Sequence, residues 1–196
     1  MSIRIIVADD EPITRMDIAE MLKEVGCNVV GKAADGFDAV ELCKKNKPDV
    51  VLLDIKMPLL DGLMAAKMIR ENNMAKAVVL LSAYSGQEFV EKAKNSGALA
   101  YLVKPIMKES LLPTVELALH RANEIETIKK EHMQTKEKLE SRTIINRAKG
   151  LLMQTKDISE EEAYGYIKKM SRIKGCAMKD IAQVILIQEK DELQDD

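Results

Sequence analysis

Asp49-Val-Val-Leu-Leu-Asp-Ile-Lys-Met-Pro-Leu-Leu-Asp-Gly62 sets four apolar residues in a row, Val50 to Leu53, against the carboxylate of Asp54. A short β-branched and leucine run of this kind reads as a strand buried on both faces, the mark of a parallel sheet. In such sheets ligands bind just beyond the carboxyl ends of the strands, where Asp54 falls. Met57-Pro58 then forces a turn, and Asp61-Gly62 has the form of a helix cap and entry.

The flanking sequence repeats the pattern. Ile3 to Ala8 reads as a strand ending in Asp9-Asp10-Glu11-Pro12, followed by helical periodicity from Ile13 to Val25 and a stop at Gly26. Asn28 to Ala33 is a second strand and Asp35 to Asn46 a second helix; Leu63 to Glu71 is the third helix. Ala77 to Leu81 is a fourth strand ending in Ser82-Ala83, Gln87 to Ser96 a polar helix closed by Gly97, and Leu99 to Val103 a fifth strand ending in Lys104-Pro105. Strands alternating with helices in this way predict an α/β fold with a five-stranded, doubly wound parallel sheet.

The whole chain sets wide bounds. Its 196 residues suit one domain and a smaller unit. A 46% apolar content supports a core, and no Trp with two Phe points to aliphatic packing. The net charge of −2 gives no global pull toward nucleic acid or membrane, so any basic surface is local. Cys27, Cys43 and Cys176 are far apart and form no Cys-x-x-Cys, as in a reduced cytoplasmic protein, and His120 and His132 lack partners at zinc-ligand spacing. The N-terminus shows no signal-peptide pattern and no apolar run approaches a membrane span, which favours a soluble, cytoplasmic protein.

Asp9 and Asp10, Asp54, Ser82 and Lys104 all fall at strand ends, hence at one sheet edge. Each alone reads as an ordinary solvated loop residue. Together they suit an oxyanion and a hard cation such as Mg²⁺, which accepts one or two carboxylates and keeps positions for phosphate oxygens. Lys104 would neutralise a phosphoryl oxygen as a point charge, and a carboxylate such as Asp54 can itself be a nucleophile. Lys104-Pro105 invites a cis bond that would aim the ammonium into the site.

These motifs, with Met57-Pro58, Asp61-Gly62 and Tyr101, make residues 1–120 resemble the receiver domain of two-component response regulators, with its flavodoxin-like fold. The resemblance implies that Asp54 accepts a phosphoryl group from a sensor histidine kinase. Asp10, Asp54 and the Lys56 carbonyl would hold Mg²⁺, with Asp9 acting through water. Ser82 and Tyr101 would form a switch pair beside Lys104. An added phosphate brings about two negative charges and three acceptors, enough to bias the strand ends between two arrangements. This describes a switch rather than an enzyme, with slow self-dephosphorylation at most.

From Leu111 no strand pattern returns. Leu111, Val115, Ala118, Ala122 and Ile125 keep a 4-3-4-3 spacing, continued through a highly charged stretch to Leu139, with Pro113 suited to a first helical turn. This reads as a long final receiver helix running on as a short coiled coil, with residues 112–140 as the linker that pairs two chains into a homodimer on phosphorylation. Residues 141–190 read as three helices: Ser141 to Gln154, one opened by the capping box Ser159-Glu160-Glu161-Glu162 and stopped by Gly175, and Met178 to Gln188. Residues 191–196 form an acidic tail. The bundle carries no catalytic constellation, and its basic residues suit phosphate contacts.

Asn146-Arg-Ala-Lys-Gly-Leu-Leu-Met153, with Leu139-Glu-Ser-Arg142 before it and Ser159-Glu-Glu-Glu-Ala-Tyr164 after it, resembles the ANTAR family of RNA-binding antitermination domains. That resemblance implies binding to paired hairpins in a nascent leader mRNA, blocking a terminator. Arg142, Asn146, Arg147 and Lys149 are the expected RNA contacts, followed by Lys168, Lys169 and Lys174. Lys168-Lys169 stands where the family usually has two arginines, keeping charge but losing bidentate geometry. Gly150 is expected to permit close helix packing, and Ala148, Leu152 and Met153 to be core. The overall likeness is to ethanolamine-utilisation antiterminators of Gram-positive bacteria. Alternatives are a DNA-binding response regulator, for which no recognition helix rich in Arg, Asn and Gln is evident, and a phosphorelay or protein-interaction module.

Overall fold

The computed structural model describes residues 2–83 and 96–192, with side chains to 188. The helix expected from Gln87 and the end of the acidic tail lie outside the described residues. Two compact units emerge, Met1–Thr127 and Ile128–Asp196.

In the first unit, strands β1 (Arg4–Ala8), β2 (Asn28–Ala33), β3 (Val50–Asp54), β4 (Ala77–Ser82) and β5 (Ala100–Val103) form one sheet. Their order is β2-β1-β3-β4-β5 and every pairing is parallel. The uninterrupted apolar run puts β3 at the centre, where all five of its residues are buried. One face packs under α2 (Gly36–Asn46) and α3 (Gly62–Glu71), through Ala39, Val40, Cys43, Ala65, Ala66 and Ile69. The opposite face packs Ile18 and Leu22 of α1 (Pro12–Glu24) against Ile5, Val7, Leu52 and Leu81.

Local chemistry starts the helices where the sequence reading places them, within a residue or so. Asp35 and Asp61 cap α2 and α3 by accepting the Asp38 and Met64 backbone N–H groups, and Pro12 occupies the first turn of α1. Gly62 meets the end of β3 closely, its N–H donating to the Ile55 carbonyl at 3.0 Å. A Cβ at Gly62 would stand 2.0 Å from the Asp54 carbonyl oxygen.

The long helix differs from the sequence expectation in its extent and in where Pro113 falls. Helix α4 runs unbroken over Lys108–Lys156, so the linker and the first bundle helix are one element. Ser141, which reads as the start of the first bundle helix, donates its hydroxyl to the Glu137 carbonyl four residues back, and Thr143 does the same to the Leu139 carbonyl. In that geometry they continue a helix rather than cap one. Leu111, Val115, Ala118 and Ala122 are buried with Ile5, Val7 and Leu81 in the sheet core, as a final receiver helix requires, so this part of 112–140 is not open to a coiled-coil partner. Pro113 sits inside the helix, not in its first turn, because the helix opens earlier, where Leu111 N–H reaches the Met107 carbonyl.

The second unit packs the end of α4 against α5 (Glu160–Lys174) and α6 (Met178–Glu192). Ala148, Leu152, Ala163, Ile167 and Ala182 form its buried centre. Ser159 and Glu162 make the expected reciprocal capping box, and Gly175 ends α5 at φ 64°. Met153 is 37% exposed because it lies one residue round the helix from Leu152, which takes the core position. Gly150 packs against nothing: a Cβ there would meet no atom within 4 Å. Among the described residues no helix is long and apolar enough to cross a membrane.

The two glycines give opposite expectations. Gly62→Ala should cost about 1–3 kcal/mol or more, since backbone must move to admit the methyl. Gly150→Ala should add about 0.5–1 kcal/mol by relieving glycine entropy in an open helix. Urea unfolding followed by circular dichroism reads both.

Candidate functional site

The carboxyl edge of the sheet gathers the residues that the strand ends deliver. Asp10, Glu11, Asp54, Lys56, Ser82 and Lys104 line one pocket of about 370 Å³. Asp9 lies fully buried beside it, with Oδ2 2.7 Å from Lys104 Nζ, and Asp54 Oδ1 is 3.0 Å from the same ammonium. The Lys104 backbone is anchored by its N–H to the Ser82 carbonyl at 2.8 Å, and the Lys104-Pro105 bond is cis, as expected. Tyr101 stands apart. It lies on edge strand β5, is 44% exposed and does not line the pocket.

Charge is balanced unevenly here. Burial pushes the Asp54 carboxyl above its ordinary pKa, and Asp9 and Asp10 add to the rise while Lys104 opposes it. Burial alone would lower the Lys104 pKa, but hydrogen bonds and charge from Asp54 and Asp9 outweigh it and raise it. The short contact from Lys104 to Asp9 Oδ2 is poorly directed, so that oxygen is the one buried side-chain acceptor among the described residues left short of a hydrogen bond. Asp9, Asp10 and Asp54 bring carboxylate oxygens within 4.8 Å of one another. An all-oxygen donor set with an unsatisfied buried acceptor fits a hard divalent cation such as Mg²⁺.

Glu11 also lines the pocket, although sequence reading counted it only within a run of acids. Its position at the entry of α1, before Pro12, was the available signal.

The expected RNA contacts divide. Arg142, Asn146 and Lys149 line a common groove of about 620 Å³ in the second unit, whereas Arg147, Lys168, Lys169 and Lys174 are exposed elsewhere. Lys149 is committed to Glu160 at 2.6 Å, with its side chain 15% exposed. Tyr164 joins this groove from α5. It entered the sequence reading only as the end of a motif.

A family model for the response regulator receiver domain matches residues 5–116, and one for the ANTAR domain matches residues 133–186. The chain is a response regulator of the receiver–ANTAR type. The transcriptional regulatory protein PdtaR of Mycobacterium tuberculosis is 43% identical over 183 residues, covering 93% of this chain and 89% of that protein. The chemotaxis protein CheY of Bacillus subtilis is 35% identical over 120 residues, 61% of this chain and all of CheY. Among solved structures, the receiver domain of the M. tuberculosis response regulator NarL superposes with a TM-score of 0.56 at 35% identity, covering 62% of this chain and 97% of that one. These matches agree with the sequence reading of a receiver followed by an ANTAR domain.

The raised Asp54 pKa fixes the sign of a pH effect. With the folded value above the reference of 3.8, stability is fully present below the unfolded pKa and is lost as pH rises through the folded value. Asp54→Asn should therefore melt higher than wild type at neutral pH, by a few degrees at most, with the gain disappearing on acidification below about pH 4. Thermal melts across pH 3 to 8 test it.

Proposed function

We propose that this response regulator is activated by phosphorylation of Asp54 and then binds paired hairpins in a nascent leader mRNA, preventing transcription termination. The observation that supports it most is the pairing, in one chain, of a receiver pocket with a buried lysine–aspartate cluster and an ANTAR match in which Lys138, Arg142 and Lys149 line an open groove.

In the receiver, an Asp54 oxygen forms a bond to phosphorus as the P–N bond of the kinase's phosphohistidine breaks, and the imidazole leaves with that electron pair. Lys104, already beside Asp54, balances charge on the phosphoryl oxygens. Asp10, Asp54 and the Lys56 carbonyl, with Asp9 through water, would hold Mg²⁺, which when bound supplies further positive charge to those oxygens. Ser82 then turns to the phosphoryl group and Tyr101, half exposed beforehand, follows it inward.

On α4, Ile128 and Leu139 are 64% and 65% exposed and lie three turns apart on one side. They supply a seam for a second copy after phosphorylation, shorter than the one the full 4-3-4-3 stripe suggested. Two ANTAR bundles held together suit two hairpins, because linkage raises the effective concentration of the second site. Exposed loop bases, rather than the deep A-form groove, are what such a protein can read.

The test is recovery of nucleic acid from a cell lysate with phosphorylated wild type beside Asp54→Ala. Leader RNAs with tandem hairpins, enriched by wild type alone, are the expected result; they would also identify the operon and so test the likeness to ethanolamine-utilisation antiterminators. Duplex DNA would move the reading to a DNA-binding regulator, and equal enrichment by both would sink the switch. With the recovered RNA, Arg142→Ala should weaken binding and reduce the slope of log affinity against log salt by about 0.7–0.9, the loss of one phosphate contact. Sedimentation of the phosphorylated protein should give a dimer, and a monomer that binds RNA would remove the seam.

A further inference from the structure

The groove holding Arg142 carries more detail than a basic patch. Lys138, Arg142 and Asn146 follow one another at four-residue spacing along α4, and Ile145 and Tyr164 supply its apolar part. Three of the residues that line it are cations; Lys149 is paired with Glu160 and Glu137 is a carboxylate, which leaves one net positive charge and favours an anion. Its volume of about 620 Å³ lies within the range of sites that hold small planar ligands.

The donors in it are unspent. Among the described residues the side chains of Arg142 and Asn146 make no hydrogen bond or ion pair, in contrast to Lys149, whose ammonium is held by Glu160. The two tyrosines of α5 differ in the same way. Tyr166 has the Lys156 ammonium 4.6 Å from its ring centre, whereas no described cation lies over Tyr164. Tyr164 is 43% exposed although its neighbour Ala163 is fully buried in the core. A large aromatic on a rigid helix, half open beside free amide and guanidinium donors, has the composition of a base-stacking site.

We propose that this groove receives one unpaired nucleobase of an RNA loop, with Tyr164 as the stacking platform and Asn146 hydrogen-bonding the base edge. Arg142 and Lys138 take the adjoining phosphates, and Lys149, braced by Glu160, forms the fixed wall. The inference deepens the RNA reading above and rests on it. An aromatic face is tolerant of base identity, so discrimination falls to the Asn146 amide, which offers one donor and one acceptor edge.

The test uses the full chain, phosphorylated with acetyl phosphate, against synthetic RNA hairpins with randomised loops. Hairpins retained by wild type are then made abasic at each loop position in turn. Tyr164→Phe should bind as wild type does, and Tyr164→Leu should bind roughly tenfold to a hundredfold more weakly with an unchanged circular dichroism spectrum. At one loop position the abasic substitution should cause a similar loss in wild type and no further loss in Tyr164→Leu, which is the coupling that stacking requires. Asn146→Ala should flatten base preference at that same position. Retention of hairpins with additive Tyr164 and abasic effects at every position overturns this proposal and leaves the RNA reading standing. Failure of wild type to retain any hairpin overturns both.

Discussion

A single lysine ammonium shared between two carboxylates governs the receiver half of this protein. Asp9 is fully buried and Asp54 nearly so, and Lys104 lies within 3.0 Å of both. Burying two like charges this close is unfavourable unless a cation stands between them. Even with Lys104 present the cluster is under-compensated, as the raised Asp54 pKa and the poorly directed contact at Asp9 Oδ2 indicate. A site in this condition favours additional positive charge and is sensitive to any added phosphate, which is the electrostatic requirement of a switch.

The parallel sheet makes the arrangement feasible. Pairing β3 with both β1 and β4 in parallel brings the ends of three strands to one edge, with Asp54 opposite Leu81 and one residue short of Ser82. Close approach of α3 to that edge through Gly62 then holds the Asp54 backbone against the rest of the fold. Chemistry and packing are joined at this point: the residue that seals the core is in contact with the residue that carries the charge.

Helix α4 shows how one amphipathic pattern can serve two ends. Its early stripe from Leu111 to Ala122 completes the sheet core, and its last turns carry Ala148 and Leu152 into the ANTAR core. Between them the exposed apolar residues are sparse, and the groove residues Arg142 and Asn146 follow on the same side as Ile128 and Leu139. The groove of the second unit is thus built on a helix that begins in the first.

Much of this was legible in the amino-acid order because it depends on near neighbours. The unbroken apolar run of β3, the Asp35, Asp61 and Ser159 caps, the Gly175 stop and the residues at the strand ends are determined by local backbone preferences and by the two-residue and 3.6-residue periods. What tertiary structure decided were matters of which surface an apolar stripe meets. The 4-3-4-3 spacing fits a partner helix and a sheet equally well, and only the position of the sheet shows that Leu111, Val115, Ala118 and Ala122 are spent within the chain. Likewise Tyr164 and Arg142 are 22 residues apart in sequence and acquire a common groove only when α5 folds back on α4. Periodicity records that a face is apolar or basic; the identity of its neighbour is a long-range property that no local pattern carries.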